Sequence, residues 1–262
     1  VKAQDLFLSI LKKRAETGRI YIMNIDHCNT HSSFKDVVRM SNLCQEITLP
    51  TDPLQHIDGQ GEIALCILSA INLGQIKNKE ELENLCDLSV RGLEELIDLQ
   101  NYPVKAAELS TKARRSLGIG YIGLAHYLAK NKLKYDSPDA WKLVDETTEA
   151  FQYYLLKASN NLAQEKGKCE YFEKTKYSDG ILPIDTYKKD LDKIVKRKLS
   201  YDWKQLRKDI QEHGLRHSTL SAQMPSESSS VVSNATNGIE PPRDYLSVKK
   251  SKKGTLKQIV PD

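Results

Sequence analysis

Leu6, Ile10 and Leu11 recur at helical spacing and Gly18 closes the run, which predicts an amphipathic helix at the start of the chain. The segment Arg19-Ile-Tyr-Ile-Met-Asn-Ile-Asp26 then reads as a strand, followed by a polar, irregular stretch. Gly61-Glu-Ile-Ala-Leu-Cys-Ile-Leu68 is a short apolar run of the length a buried strand needs, with Cys66 near its end. Asn78 caps a helix on which Leu82, Leu85, Cys86, Leu93, Leu96 and Ile97 share one side, ending before Tyr102-Pro103. Ser137-Pro138-Asp139 is a strong helix start, and Trp141, Val144, Phe151, Leu155, Ala158 and Leu162 carry the stripe to Gly167. Leu215–Met224 is strand-like. Near the end, 245–250 and 255–260 flank Ser251-Lys-Lys-Gly254, a hairpin with glycine in the turn.

Composition narrows the function classes only at the extremes. Of 262 residues 39% are hydrophobic and 28% charged, and the formal net charge is +4, as in an ordinary globular chain. The bases are interspersed with acids, which argues against a dedicated nucleic-acid or membrane surface; the local exception is Lys249, Lys250, Lys252, Lys253 and Lys257. No stretch approaches the roughly 18 apolar residues of a spanning helix and the start has no signal-peptide core, so a cytoplasmic protein is expected. The chain begins at Val1 and stops just after a strand-like run, as a piece of something longer would. Five cysteines without a C-x-x-C pair argue against zinc knuckles and disulfide scaffolds.

Three motifs hold chemistry-bearing residues. Gly118-Ile-Gly120-Tyr-Ile-Gly123 fits the dinucleotide-binding fingerprint, with Asp145 about 20 residues on, but the preceding 105–116 is polar and basic; close helix packing through small residues is the expectation. Asp26-His27-Cys28-Asn29-Thr30-His31 collects ligand types without a closing second pair, so a structural strand-to-loop turn is expected and no metal. In Ser41-Asn42-Leu43-Cys44-Gln45-Glu46-Ile47 the residues Asn42, Cys44 and Glu46 alternate, and in an extended segment they project from one side. A thiol beside a carboxylate stays protonated, suited to hydrogen-atom relay, while the carboxylate can act as a general base. Met224-Pro225-Ser226-Glu227-Ser228-Ser229-Ser230, strand end then helix start, reads either as a serine cap or as an anion site built from hydroxyls and free backbone N–H groups.

Taken together, 41–47, Ala64-Leu-Cys-Ile-Leu-Ser-Ala-Ile-Asn-Leu-Gly74, Arg114-Arg-Ser-Leu-Gly-Ile-Gly120, Gly180-Ile-Leu-Pro-Ile-Asp-Thr-Tyr187 and Met224–Ser229 closely resemble the large, catalytic alpha subunit of class I ribonucleotide reductase, from end to end and in order. The resemblance implies part of a ten-stranded α/β barrel with a central finger loop carrying a radical cysteine, Cys44. It implies that Cys44 takes a hydrogen atom from the 3′ carbon of a ribonucleoside diphosphate, that Glu46 takes the 3′-hydroxyl proton, and that Asn42 hydrogen-bonds the sugar. Asn42, Leu43, Cys44 and Glu46 then line the substrate, and Pro225, Ser226, Glu227, Ser228 and Ser229 bind its diphosphate. Cys66 is implied as one of two redox cysteines.

By the same resemblance, residues 1–262 form a single partial domain, the C-terminal half of the catalytic barrel. The N-terminal ATP-cone, the first half-barrel, the partner of Cys66 and the C-terminal tail fall outside it. The implied partners are the remaining large-subunit segments, a small subunit that supplies the radical, thioredoxin or glutaredoxin as reductant, and the ribonucleoside diphosphate. No cofactor is expected on this segment, and ATP and dNTP effectors are expected at sites outside it. Three other readings stand beside this one: a nicotinamide-dependent oxidoreductase using Gly118–Gly123, a non-enzymatic nucleic-acid-binding module using the lysine hairpin, and a cobalamin-using relative within the same family.

Overall fold

The computed structural model describes residues 1–194, 198–251 and 254–261. Eight α-helices are assigned among them: α1 (Ala3–Thr17), α2 (Ile25–His31), α3 (Lys79–Leu99), α4 (Lys105–Arg114), α5 (Leu124–Lys130), α6 (Pro138–Lys166), α7 (Trp203–His213) and α8 (Glu227–Val232). The strands among them are β1 (Ile67–Asn72), β2 (Leu117–Ile122), β3 (Leu246–Ser251) and β4 (Gly254–Ile259).

β1 and β2 pair in parallel, in register from Ile67 opposite Leu117 to Asn72 opposite Ile122. On the other side of β2 the backbone of 219–222 runs parallel to it. Leu117 N–H donates to Thr219 O (3.1 Å), Ile119 N–H to Leu220 O (2.8 Å) and Ala222 N–H to Ile119 O (3.1 Å). All of β2 is buried, as a parallel strand covered on both faces must be. The crossover from β1 to β2 consists of α3 and α4, and α3 packs on β1 and against α6.

Local chemistry explains the long helices. The Asn78 side chain accepts from Glu81 N–H (2.8 Å) and Glu81 in turn accepts from Lys77 N–H (2.7 Å), closing the first turn of α3 from both directions. Leu82, Cys86, Val90, Leu93 and Ile97 then bury one face. Ser137 caps α6 through Ala140 N–H (3.2 Å), with Pro138 at the first position, and Phe151, Leu155, Ala158 and Leu162 face the core. Gly18 ends α1 in the left-handed conformation (φ 63°), its N–H on Arg14 O. No residue of α1 is buried, and Leu6, Phe7 and Leu8 are each more than half exposed.

Four expectations need correction. Residues 19–26 form no strand: 25–31 is helix α2, so the Asp26–His31 ligand types sit on a helix turn and not on a strand-to-loop turn. The apolar run 61–68 becomes a strand only from Ile67. Gly59 (φ 118°) and Gly61 (φ 105°) shape a turn there, and the ladder with 116–122 starts at Ile67 N–H to Ser116 O (3.4 Å). Cys66 therefore precedes β1. The Gly118–Gly123 segment is a strand and a turn, not a helix-packing surface. Gly118 and Gly120 lie inside β2, and Gly123 (φ 75°) caps α5. A Cβ at Gly120 would sit 2.4 Å from Ala222 O, so these glycines admit neighbouring chain and leave no cradle for a phosphate. Finally, 215–224 is extended but joins the sheet through an isolated bridge, Ile119 to Ser221. The terminal hairpin is present as β3 antiparallel to β4, with Ser251 opposite Gly254. Lys252 and Lys253, and the side chains of Lys249 and Lys250, lie outside the described residues.

Candidate functional site

The loop between α2 and β1 carries the Asn42–Glu46 motif on a closed turn. Gln45 N–H donates to Asn42 O (3.2 Å), Asn42 N–H to Ile47 O (3.4 Å), and Ile47 N–H to Asn42 Oδ1 (3.4 Å). Gln45 takes a positive φ of 61°. The segment is therefore not extended, and alternation does not set where the three side chains point. The turn itself uses both Asn42 oxygens internally, leaves Cys44 exposed at the tip beside an 84% exposed Leu43, and anchors through buried Ile47.

Glu46 points the other way. Its Oε2 is buried and, among the described residues, has no hydrogen-bond partner. The residue lines a cavity of about 220 Å³ with Thr48, Gln152, Lys176 and Ser221. It also lies within electrostatic reach of Cys66: burial, and then the Glu46 carboxylate, push that thiol up to about 11. The structure thus brings Glu46 and Cys66 together from the two ends of the 46–66 stretch. Among the described residues no disulfide forms, and Cys86 and Cys169 are buried.

The serine segment follows the extended stretch beside β2. Met224 packs where a side chain on Gly120 would otherwise sit. Ser226 is buried at the start of α8, whereas Pro225, Glu227, Ser228 and Ser229 are exposed. The helix's own bonding begins with Ser230 N–H to Ser226 O (2.8 Å), reinforced by Ser230 Oγ on the same oxygen (2.6 Å). The N–H groups of Glu227, Ser228 and Ser229 are first-turn donors without intrahelical acceptors.

Sequence reasoning missed two buried ion networks that frame this region. Glu94, fully buried on α3, accepts from Arg115 Nε (2.8 Å), Arg216 Nε (2.7 Å) and His217 Nε2 (3.0 Å). Those donors hold its carboxyl far below the usual range against the opposing effect of burial. Arg114, 2% exposed, pairs with Glu62 and Asp36. The available signal was the Arg114-Arg115 pair directly before an apolar run: two charges that cannot both reach solvent at the mouth of a buried strand require acids nearby.

The ribonucleotide reductase barrel-domain family model matches residues 1–262. Among curated relatives, the chain is 63% identical to the ribonucleoside-diphosphate reductase subunit alpha of Haemophilus influenzae and 59% identical to ribonucleoside-diphosphate reductase 1 subunit alpha of Escherichia coli. It is 46% identical to the subunit alpha of Enterobacteria phage T4. Each similarity covers all of this chain and 35% of the relative, so the chain spans about a third of their length. With a family match over every residue and this level of identity, the chain belongs to the ribonucleotide reductase barrel-domain family.

Proposed function

We propose that this chain is the segment of a ribonucleoside-diphosphate reductase large subunit in which thiyl-radical chemistry takes place. The observation that carries the reading is the placement of Glu46 beside a protonated Cys66, on the loop whose exposed tip is Cys44. In this reading the Cys44 thiyl radical removes the hydrogen atom from C3′ while Glu46 accepts the 3′-hydroxyl proton and Asn42 holds the sugar. The 2′-hydroxyl leaves as water. Cys66 and a second cysteine outside this segment then supply two electrons and two protons, ending as a disulfide, and Cys44 returns its hydrogen atom to C3′.

The diphosphate sits on 225–229, where first-turn N–H groups and serine hydroxyls accept an anion without a lysine or arginine. The described strands belong to a ten-stranded barrel completed by other segments of the large subunit, with 42–46 on its central finger loop. A small subunit supplies the radical, thioredoxin or glutaredoxin reduces the disulfide, and ATP and dNTP effectors act at sites outside this segment. The setting is cytoplasmic; among the described residues no helix is long and apolar enough to cross a membrane. Alone, the segment is inactive.

The test is reduction of a ribonucleoside diphosphate by the complete large chain with its small subunit and a dithiol, comparing Cys44 with Cys44→Ser. Deoxyribonucleotide formed only with Cys44 supports the reading. Equal turnover by Cys44→Ser rejects the radical role.

A further inference from the structure

The two legs of the loop that carries Asn42, Cys44 and Glu46 are held by one guanidinium. Arg114, at the last position of α4, donates from Nη2 to Asp36 Oδ2 (3.0 Å) on the leading leg and to Glu62 Oε2 (2.9 Å) on the trailing leg, and from Nε to Glu62 Oε1 (3.1 Å). Each leg is braced separately. The Asn29 side chain takes Val38 N–H (2.8 Å) and donates to Val38 O (2.9 Å), fixing the chain just past Asp36. Glu62 Oε2 accepts from Asp52 N–H (2.9 Å) and Glu62 N–H donates to Asp52 O (3.2 Å), closing the trailing leg on itself.

The arginine is anchored at both ends. Its guanidinium carbon lies 5.0 Å from the Tyr171 ring, and its backbone O accepts from Ser218 N–H (3.0 Å). Nη1 is buried and, among the described residues, has no hydrogen-bond partner. Arg115 then turns through a left-handed conformation (φ 48°) directly into β2, and Ile47 packs beside Gly118 of that strand. The base of the loop and the Ile47 end of its turn are thus referred to the same strand.

We propose that Arg114, through Asp36 and Glu62, is a positioning residue that sets the reach of Cys44 and the aim of Glu46 in the reaction. The proposal rests on the reductase reading for its catalytic consequence but not for its structural one. A planar fork with donors in fixed directions can bind two carboxylates at once; a lysine ammonium offers a single compact charge on a flexible stem. Losing one Arg114 contact leaves that leg on its own brace alone and loosens the turn against β2, and a displacement of about 1 Å at a reacting group can cost on the order of a hundredfold in rate.

The experiment uses the complete large chain with its small subunit and compares Asp36→Ala, Asp36→Asn, Arg114→Lys and the unaltered protein. Asp36 is partly exposed, so Asp36→Ala keeps the Arg114–Glu62 pair while removing the acceptor on the leading leg, and Asp36→Asn, which keeps an acceptor oxygen, should fall between Asp36→Ala and the unaltered protein. The expected result for Asp36→Ala is a roughly tenfold lower kcat with KM within about twofold, and roughly tenfold faster amide exchange in peptides covering 40–48 with α3 and α6 unchanged. Arg114→Lys should lose more activity in the same pattern. Unchanged exchange across 40–48 in Asp36→Ala overturns the proposal, and so does a loss confined to KM. If the unaltered assembly makes no deoxyribonucleotide, the reductase reading falls and the exchange result still decides the clamp.

Discussion

The Glu46 carboxylate and the Cys66 thiol share one partly buried corner of the molecule, and the thiol's acidity records it: burial first, Glu46 second, raise it from 9.0 to about 11. A thiol so placed stays protonated at neutral pH and offers S–H hydrogen rather than a thiolate nucleophile. The neutral thiol's contribution to stability is therefore complete below pH 9 and is lost as pH rises toward 11. Peptide-resolved alkylation of the complete chain should show Cys66 reacting slowly at pH 8 and accelerating only at strongly alkaline pH. Glu46→Gln should move that midpoint down, though not to 9.0, because burial remains. An unmoved midpoint would mean that the carboxylate does not face the thiol.

Gly120 and Gly118 differ although they belong to one motif. A methyl group at Gly118 meets Leu68 Cδ2 at 2.5 Å, the far end of a side chain that can rotate away, whereas at Gly120 it meets the backbone oxygen of Ala222 at 2.4 Å and Met224 sulfur at 2.9 Å. Overpacking against movable side chains costs about 1–3 kcal/mol, and against backbone more. Gly120→Ala should therefore lower the thermal midpoint well below that of Gly118→Ala, and it should also disturb the adjoining 224–229 segment. Equal losses would show that the 219–224 stretch yields as easily as a leucine side chain.

What the sequence made legible was whatever depends on local rules. Asn78 and Ser137-Pro138 announced α3 and α6 because capping is settled within one turn, and Lys-Lys-Gly254 announced the hairpin for the same reason. Strand edges were less legible. Whether 61–66 joins a ladder depends on 116, far along the chain, and β2 hid inside a glycine motif because glycine lowers strand propensity while tight packing against 222–224 demands it. Cys44 with its neighbours and the serine segment stood out from residue types and spacing, and the resemblance assigned their roles and that of Cys66. Their supports, Arg114 and Glu94, did not stand out, since a buried charge in sequence looks the same as an exposed one.

Acid should reveal the Glu94 network. His217 is fully buried and its pKa is lowered from 6.5, chiefly by burial, with Glu94 opposing; it is neutral, its Nε2–H donating to Glu94 and its Nδ1 accepting from Ser159 Oγ (2.9 Å). Both folded pKa values lie below their unfolded ones. The stabilisation is complete above pH 6.5, starts to fall as His217 must charge, and falls further below pH 4.5 as Glu94 protonates. Glu94→Gln should cost about 3–5 kcal/mol, because it removes the buried negative charge shared by Arg115, Arg216 and His217 and leaves buried Arg115 with Asp98 as its remaining carboxylate. Urea unfolding between pH 4 and 8 checks both. A flat profile, or a Glu94→Gln loss under about 1 kcal/mol, would show that water replaces the carboxylate.

The anion reading of 225–229 makes a demand that a mere serine cap does not. The three first-turn N–H groups have no intrahelical acceptor and Ser228 is exposed, whereas Ser229 Oγ donates back to Ser226 O (3.4 Å), so a negative side chain placed at 228 competes with a phosphate for the same donors. Ser228 is exposed, and its replacement by aspartate leaves the buried Ser226 and Ser230 contacts that hold α8. Ser228→Asp in the complete enzyme should raise KM for a ribonucleoside diphosphate by about tenfold or more with little change in kcat, since the lost interaction is made equally in ground and transition states. Inhibition by inorganic pyrophosphate should weaken in parallel. If KM rises while pyrophosphate inhibition is unaltered, the segment touches another part of the substrate, and the diphosphate must find its donors elsewhere.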